Sequence, residues 1–143
     1  MSIRIRPLRV SDHSGLVELL EIAGLRPRVK GRESLAAFAK QLPKNHRWYL
    51  GAFDGARLVG CVLGTHDTRK GWINRLAVHP EFRRRGLATR LVRACERAFR
   101  SEGIEVFSAL IDPGNALSEA FFRALGYDRL EMTYVRRKLR AEV

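Results

Sequence analysis

The sequence predicts an α/β fold in one domain, with a mixed, mostly antiparallel sheet flanked by helices. Three observations carry this. Ile3 to Leu8 alternates Ile-Arg-Ile-Arg, the period of a strand with one buried face. Two strand-like runs, Arg47 to Phe53 and Arg57 to Gly64, are joined by Asp54-Gly55, a hairpin signal if both residues sit at the turn centre with positive φ. Trp72 to Ile111 then reads strand, helix, strand, an order that implies parallel pairing through a right-handed crossover.

The elements follow in order. After the first strand, Ser11-Asp12 supplies a helix cap, and Leu16, Leu19, Leu20 and Ala23 form a helical stripe that Gly24 ends. Pro27 to Gly31 reads as loop. A short helix is expected from Ser34 to Gln41, stopping before Pro43. The hairpin comes next, then a strand from Trp72 to Val78 that His79-Pro80 terminates, because proline lacks the donor a ladder needs. From Leu87 the period becomes helical through Leu91, Ala94, Cys95 and Ala98, with arginines mainly on the other faces, until Gly103. Ile104 to Ile111 is nearly all apolar and reads as a strand covered on both faces. A helix from Ala116 to Leu125 ends at Gly126, and Met132 to Leu139 returns to strand.

With 143 residues, 45% of them apolar, the chain can bury one substantial core. No apolar run approaches the roughly 18 residues of a membrane span, so a soluble, cytoplasmic protein is expected. Cys61 and Cys95 both lie inside apolar patterns and read as buried thiols. His13, His46, His66 and His79 are scattered, with no pair at ligand spacing, so no metal is expected. Lys and Arg number 27 against 15 Asp and Glu, a net charge of +12 that would concentrate any polyanion around the chain. Composition alone leaves that polyanion open between nucleic acid and a phosphorylated cofactor.

The informative segment joins the Trp72 strand to the Leu87 helix. Arg83, Arg84, Arg85, Gly86, Leu87 and Ala88 occupy the helix entrance, where unpaired N–H groups and the positive end of the helix dipole attract anions. Small Gly86 and Ala88 permit a diphosphate to approach the amides, and Thr89 adds a hydroxyl. The pattern lacks the Gly-Lys-Ser/Thr of a Walker loop and the three glycines of a dinucleotide fingerprint.

With these residues placed, the chain resembles the GNAT superfamily of N-acetyltransferases. Leu76-Ala77-Val78-His79-Pro80-Glu81-Phe82-Arg83-Arg84-Arg85-Gly86-Leu87-Ala88 is similar to the family's strand followed by Gln/Arg-x-x-Gly-x-Gly/Ala. Asn115 through Tyr127 is similar to its second motif, Asn-x-x-Ala-x-x-aromatic-Tyr-x-x-x-Gly-Phe. The resemblance implies acetyl-coenzyme A as cosubstrate and a primary amine as acceptor. It implies that the backbone of Leu76, Ala77 and Val78 pairs with the pantetheine arm on a strand splayed from its parallel neighbour, while Arg83 to Thr89 hold the pyrophosphate. Asn115, Ser118 and Phe122 share one helix face that would meet the cofactor, with Leu117, Phe121 and Ala124 as the adjacent core stripe. The acceptor cleft falls to the segments Ala23 to Asn45 and His66 to Gly71.

Two positions depart from the family. Phe122 stands where many members have a proton-donating tyrosine, and Asn74 is the nearest match to their central glutamate. Asn74 orients water but is no base at neutral pH. The implied chemistry is direct attack of an amine on the thioester, with the N–H near Leu76 stabilising the oxyanion. Tyr134, Asp67 and His79 are the candidates for proton transfer, Tyr134 because a last strand would bring it toward the thiol. The rival readings are a coenzyme A-binding regulatory protein, motivated by Phe122 and Asn74, and a nucleic-acid module, which the spread of the basic residues and the lack of aromatic or zinc-finger motifs disfavour. A homodimer stays open.

Overall fold

The computed structural model describes residues 2–143. The first strand, β1, spans Ile3–Pro7, and after a single 3-10 turn at Val10–Asp12 the helix α1 runs His13–Ile22. Asp12 stands at the cap position as expected but makes no side-chain cap bond. Its carboxylate instead accepts from the Arg9 N–H at 2.8 Å and from the Arg6 guanidinium at 2.9 and 3.2 Å. Helix α2 covers Leu35–Asn45, capped by Ser34, whose hydroxyl accepts from the Ala37 N–H. It therefore runs through Pro43 rather than stopping before it. In the last turn a proline forfeits one backbone bond at most, and the fixed φ suits a helix.

Strand β2 spans Tyr49–Asp54 and β3 spans Arg57–His66, paired antiparallel. The turn between them centres on Gly55 and Ala56, and of its residues only Gly55 has a positive φ, +60°. Asp54 is still in the strand, so the turn sits one residue later than the Asp-Gly signal implied. Strand β4, Gly71–Val78, pairs antiparallel with β3, and β5, Phe107–Ser108, pairs parallel with β4. The five-stranded sheet has the order β1-β2-β3-β4-β5, the mixed, mostly antiparallel sheet expected.

The expected strand from Ile104 to Ile111 is reduced to two residues. Val106 and Leu110, which a strand would place on one face, are 48% and 60% exposed, so that face is not covered. Contact ends because β4 bends: its register against β3 slips between Cys61 and Leu63, and Arg75 there has φ +51°. Such a bulge turns a strand away from its neighbour. The tail is corrected as well: Met132 to Leu139 forms no strand, and Met132, Val135 and Leu139 are exposed. Its alternation survives in the sequence, but no strand of the sheet pairs with it.

Helix α3 spans Leu87–Ser101 and α4 spans Ala116–Ala124. Both pack on one face of the sheet, where Leu91, Val92, Cys95, Phe99 and Phe122 join Ala52, Val59, Val62 and Ile73. On the opposite face α1 and α2 contribute Leu16, Leu19, Leu20, Phe38 and Leu42 against Tyr49, Phe53, Cys61 and Ala77. Gly64 and Gly71 let α3 settle onto the strands. A Cβ on Gly71 would lie 2.5 Å from the Phe99 ring, and one on Gly64 would lie 2.4 Å from the Cys95 sulfur. At the outer edge, Arg90 donates to the Ile3 carbonyl at 3.1 Å and Arg6 to the Pro7 carbonyl at 2.9 Å. Among the described residues no helix is long and apolar enough to cross a membrane.

Candidate functional site

The bulged strand β4 leads through a 3-10 turn, Pro80–Phe82, into α3. Phe82 anchors this turn: it is buried, with the Arg57 and Arg85 guanidiniums over its ring at 5.6 and 5.0 Å. Arg83, Arg84 and Arg85 are then exposed, and Arg84 has φ +64°. Gly86 occupies the cap position with φ +76°, no side chain caps the helix, and its first turn carries no acidic residue. A Cβ built on Gly86 would meet nothing within 4 Å. The N–H groups of Leu87, Ala88 and Thr89 thus stand at an open, uncapped entrance where α3's positive dipole end is unopposed. This fits a diphosphate.

Leu76, Ala77 and Val78 precede that entrance. Because β5 pairs only with Gly71 and Trp72, the backbone from Ile73 to Val78 has no strand neighbour on that side. Cys61 fixes the bulge, its thiol donating to the Arg75 carbonyl at 3.3 Å. Burial pushes the Cys61 thiol up to about 12, and Cys95 likewise, so both stay protonated and neither serves as a nucleophile.

From the bulge the Arg75 side chain reaches the loop between α1 and α2. It donates to the Leu25 carbonyl at 2.7 Å and to the buried carboxylate of Glu33. Glu33 also accepts from the Arg28 N–H at 3.0 Å, while its own carbonyl lies 2.8 Å from His13 Nε2. The loop is thereby tied to the strand that carries Leu76. Sequence reasoning missed this pair, and no spacing signalled it, since Arg75 and Glu33 are 42 positions apart.

The α4 face needs correction. Asn115 caps the helix, its Oδ1 accepting from the Ser118 N–H at 3.1 Å. Phe122, expected on the face toward the cofactor, is instead 8% exposed in the core, edge-on to Phe121 and Tyr127. Leu117, expected in the core stripe, is 87% exposed, and Ala124 is exposed too. The helix is rotated because its C-terminal end is tethered by Tyr127, which donates to buried Glu96 of α3 at 2.6 Å, and by Arg93, which bonds both Glu96 and the Leu125 carbonyl. Burial, and then the bond to Glu96, hold the Tyr127 phenol well above its ordinary range.

The proton-transfer candidates are dispersed. Asn74 lies on β4 with its amide donating to Thr65 Oγ1 at 3.1 Å. Asp67 accepts from the N–H groups of Arg69 and Lys70 at 2.9 and 2.8 Å, which holds its carboxyl below the usual range, so it is a turn residue. His79 is buried, with Nδ1 accepting from the Glu81 N–H and Nε2 lying 3.0 Å from the Arg57 guanidinium. Tyr134 is 68% exposed and outside the sheet, because the strand that would have carried it does not form. Trp48 is core, its indole donating to Asn45.

A bulged strand with a free edge, feeding directly into an uncapped, basic helix entrance, suits an extended ligand that ends in a diphosphate. The chain belongs to the acetyltransferase (GNAT) family, whose model matches residues 16–127. Its structure is similar to that of the PaiA N-acetyltransferase from Thermoplasma acidophilum, solved in complex with coenzyme A, at 20% identity with a TM-score of 0.83, covering 93% of this chain and 94% of that one. It is similar to the ribosomal-protein-S18-alanine N-acetyltransferase from Escherichia coli at 17% identity, TM-score 0.75, over 91% and 80%. AAC(6')-Iy, in complex with a coenzyme A–acetylneamine bisubstrate analogue, is similar at 18% identity, TM-score 0.74, over 96% and 99%.

Proposed function

We propose that residues 1–143 form a single acetyltransferase domain that transfers the acetyl group of acetyl-coenzyme A directly to a primary amine of a small molecule, peptide or protein N-terminus. The observation that carries this reading is the continuity of the free β4 edge with the open Gly86 entrance. Leu76, Ala77 and Val78 present strand-type backbone to the pantetheine amides, and Arg83 to Thr89 receive the pyrophosphate. Asn115 and Ser118, at the start of α4, border the cofactor from the other side. Phe122 supports that helix from the core.

For the reaction, the N–H near Leu76 stabilises the oxyanion and Asn74 orients water beside the amine. The thiolate leaves unaided, since thiols ionise near 8 to 9. Attack of the amine on the thioester itself needs no covalent enzyme intermediate, and both cysteines are buried away from solvent.

A second reading, a coenzyme A-binding regulator, is favoured by the absence of any ionisable side chain at positions 74 and 122. A panel of amines incubated with acetyl-coenzyme A, followed by released thiol, separates the two. Thiol release with at least one amine supports the enzyme. Tight cofactor binding with no release across the panel supports the regulator.

A further inference from the structure

The loop that Arg75 ties to β4 is strongly basic. Between Leu25 and Ser34 it carries Arg26, Arg28, Lys30 and Arg32, against one carboxylate, Glu33. That carboxylate is buried and already committed to Arg75 and the Arg28 N–H, with Arg32 at 3.7 Å. The C-terminal tail adds to the same surface. The backbone of Glu142 and Val143 lies so close to Gly31 that a Cβ there would come within 2.6 Å of both. The same tail carries Arg136 and Lys138 a few residues before that contact. The Lys138 ammonium is pushed below its ordinary range, first by loss of water and then by repulsion from Arg28, Arg136 and Arg32, with Glu142 opposing. Glu142 is itself engaged by Arg140 at 3.6 Å.

Like charges gathered from two separate segments repel one another in the free protein, and an anionic ligand relieves that repulsion. Resting on the reading of this site as an amine acetyltransferase, we propose that the cluster recognises the acceptor, and that the acceptor is a peptide amine followed by acidic residues. An acidic peptide supplies both the amine and a row of carboxylates, and guanidinium forks such as Arg28 and Arg32 match carboxylates two bonds at a time. The cations span a loop and a tail rather than a single pocket, which suits an extended chain better than a compact metabolite. A polyamine acceptor would meet repulsion on the same surface.

The test uses the full chain saturated with acetyl-coenzyme A and three peptides sharing one N-terminal residue, followed by Glu-rich, Ser-rich or Lys-rich sequence. Thiol release should give a KM about tenfold or more lower for the Glu-rich peptide, an advantage that shrinks as salt rises. Arg28→Glu with Lys138→Glu should reverse the order of the Glu-rich and Lys-rich peptides. Melting with acetyl-coenzyme A present checks that this variant is folded, and Arg28→Gln with Lys138→Gln, which should flatten the order, takes its place if it is not. Equal KM values for the three peptides overturn the proposal while leaving the acetyltransferase reading intact. If no peptide is acetylated, that reading of the acceptor falls, and anisotropy of the labelled peptides then decides the surface: equal affinities overturn it. Tighter binding of a single-stranded RNA of equal charge overturns it as well.

Discussion

Arg75 and Glu33 form an ion pair between the bulge of the central strand and the loop joining the first two helices, with side chains 21% and 7% exposed. Losing one partner strands the other charge, which in buried pairs costs about 3–5 kcal/mol. Glu33→Gln should therefore lower unfolding stability by about 3 kcal/mol. The double variant with Arg75→Met should lose clearly less than the two singles combined. Urea unfolding of the four proteins gives the coupling, and additive losses would show that the pair is not energetically linked.

Gly86→Glu should weaken acetyl-coenzyme A binding at least tenfold, about 1.4 kcal/mol, by setting a carboxylate at the anion entrance. Since φ is +76° there, any side chain adds strain of about 1–2 kcal/mol. Gly86→Ala measures that part alone. Calorimetric titration of both variants isolates the electrostatic effect, and equal affinities would place the pyrophosphate elsewhere.

Phe122→Ala should cost about 3–5 kcal/mol of stability, as expected for an aromatic ring removed from a packed core. Thermal or urea unfolding checks this. A loss below about 1 kcal/mol, the range of an exposed site, would return the ring to the cofactor face where the motif first put it.

Tyr134→Phe should leave the rate of thiol release unchanged, because the phenol is exposed and outside the sheet. A fall of about a hundredfold, the scale of a lost general acid, would mean that the tail closes over the site during turnover.

Asp12 links stability to pH. Burial raises its pKa, but the Arg6 and Arg9 bonds outweigh that and leave it below 3.8. Its contribution is thus present above pH 3.8 and is lost as pH falls through the depressed value. Asp12→Asn should lack this acid-side decline. Unfolding midpoints between pH 5 and 2 should converge for the two proteins.

Local rules made the strands, the helices and the Gly86 entrance legible, because turn residues, apolar period and a helix start are all encoded within a few positions. What failed was long-range. Pro43 read as a stop, yet a helix end tolerates it. The rotation of α4 depends on Tyr127 reaching Glu96, 31 positions away, and a residue's helical face cannot report such a tether. The tail kept a strand's alternation without a partner strand. At the candidate site, the strand leading into the Gly86 entrance was readable from local signals, whereas Glu33 and Arg75 met only through tertiary folding.

The two borders of the sheet are unequal. At β1, arginines occupy the Ile3 and Pro7 carbonyls and proline withholds a donor, while among the described residues β5 has no strand neighbour beyond it. Strand addition therefore meets more hindrance at β1 than at β5. Two molecules meeting at β5 through a twofold axis would leave the hindered borders outward, which favours a pair over a fibre.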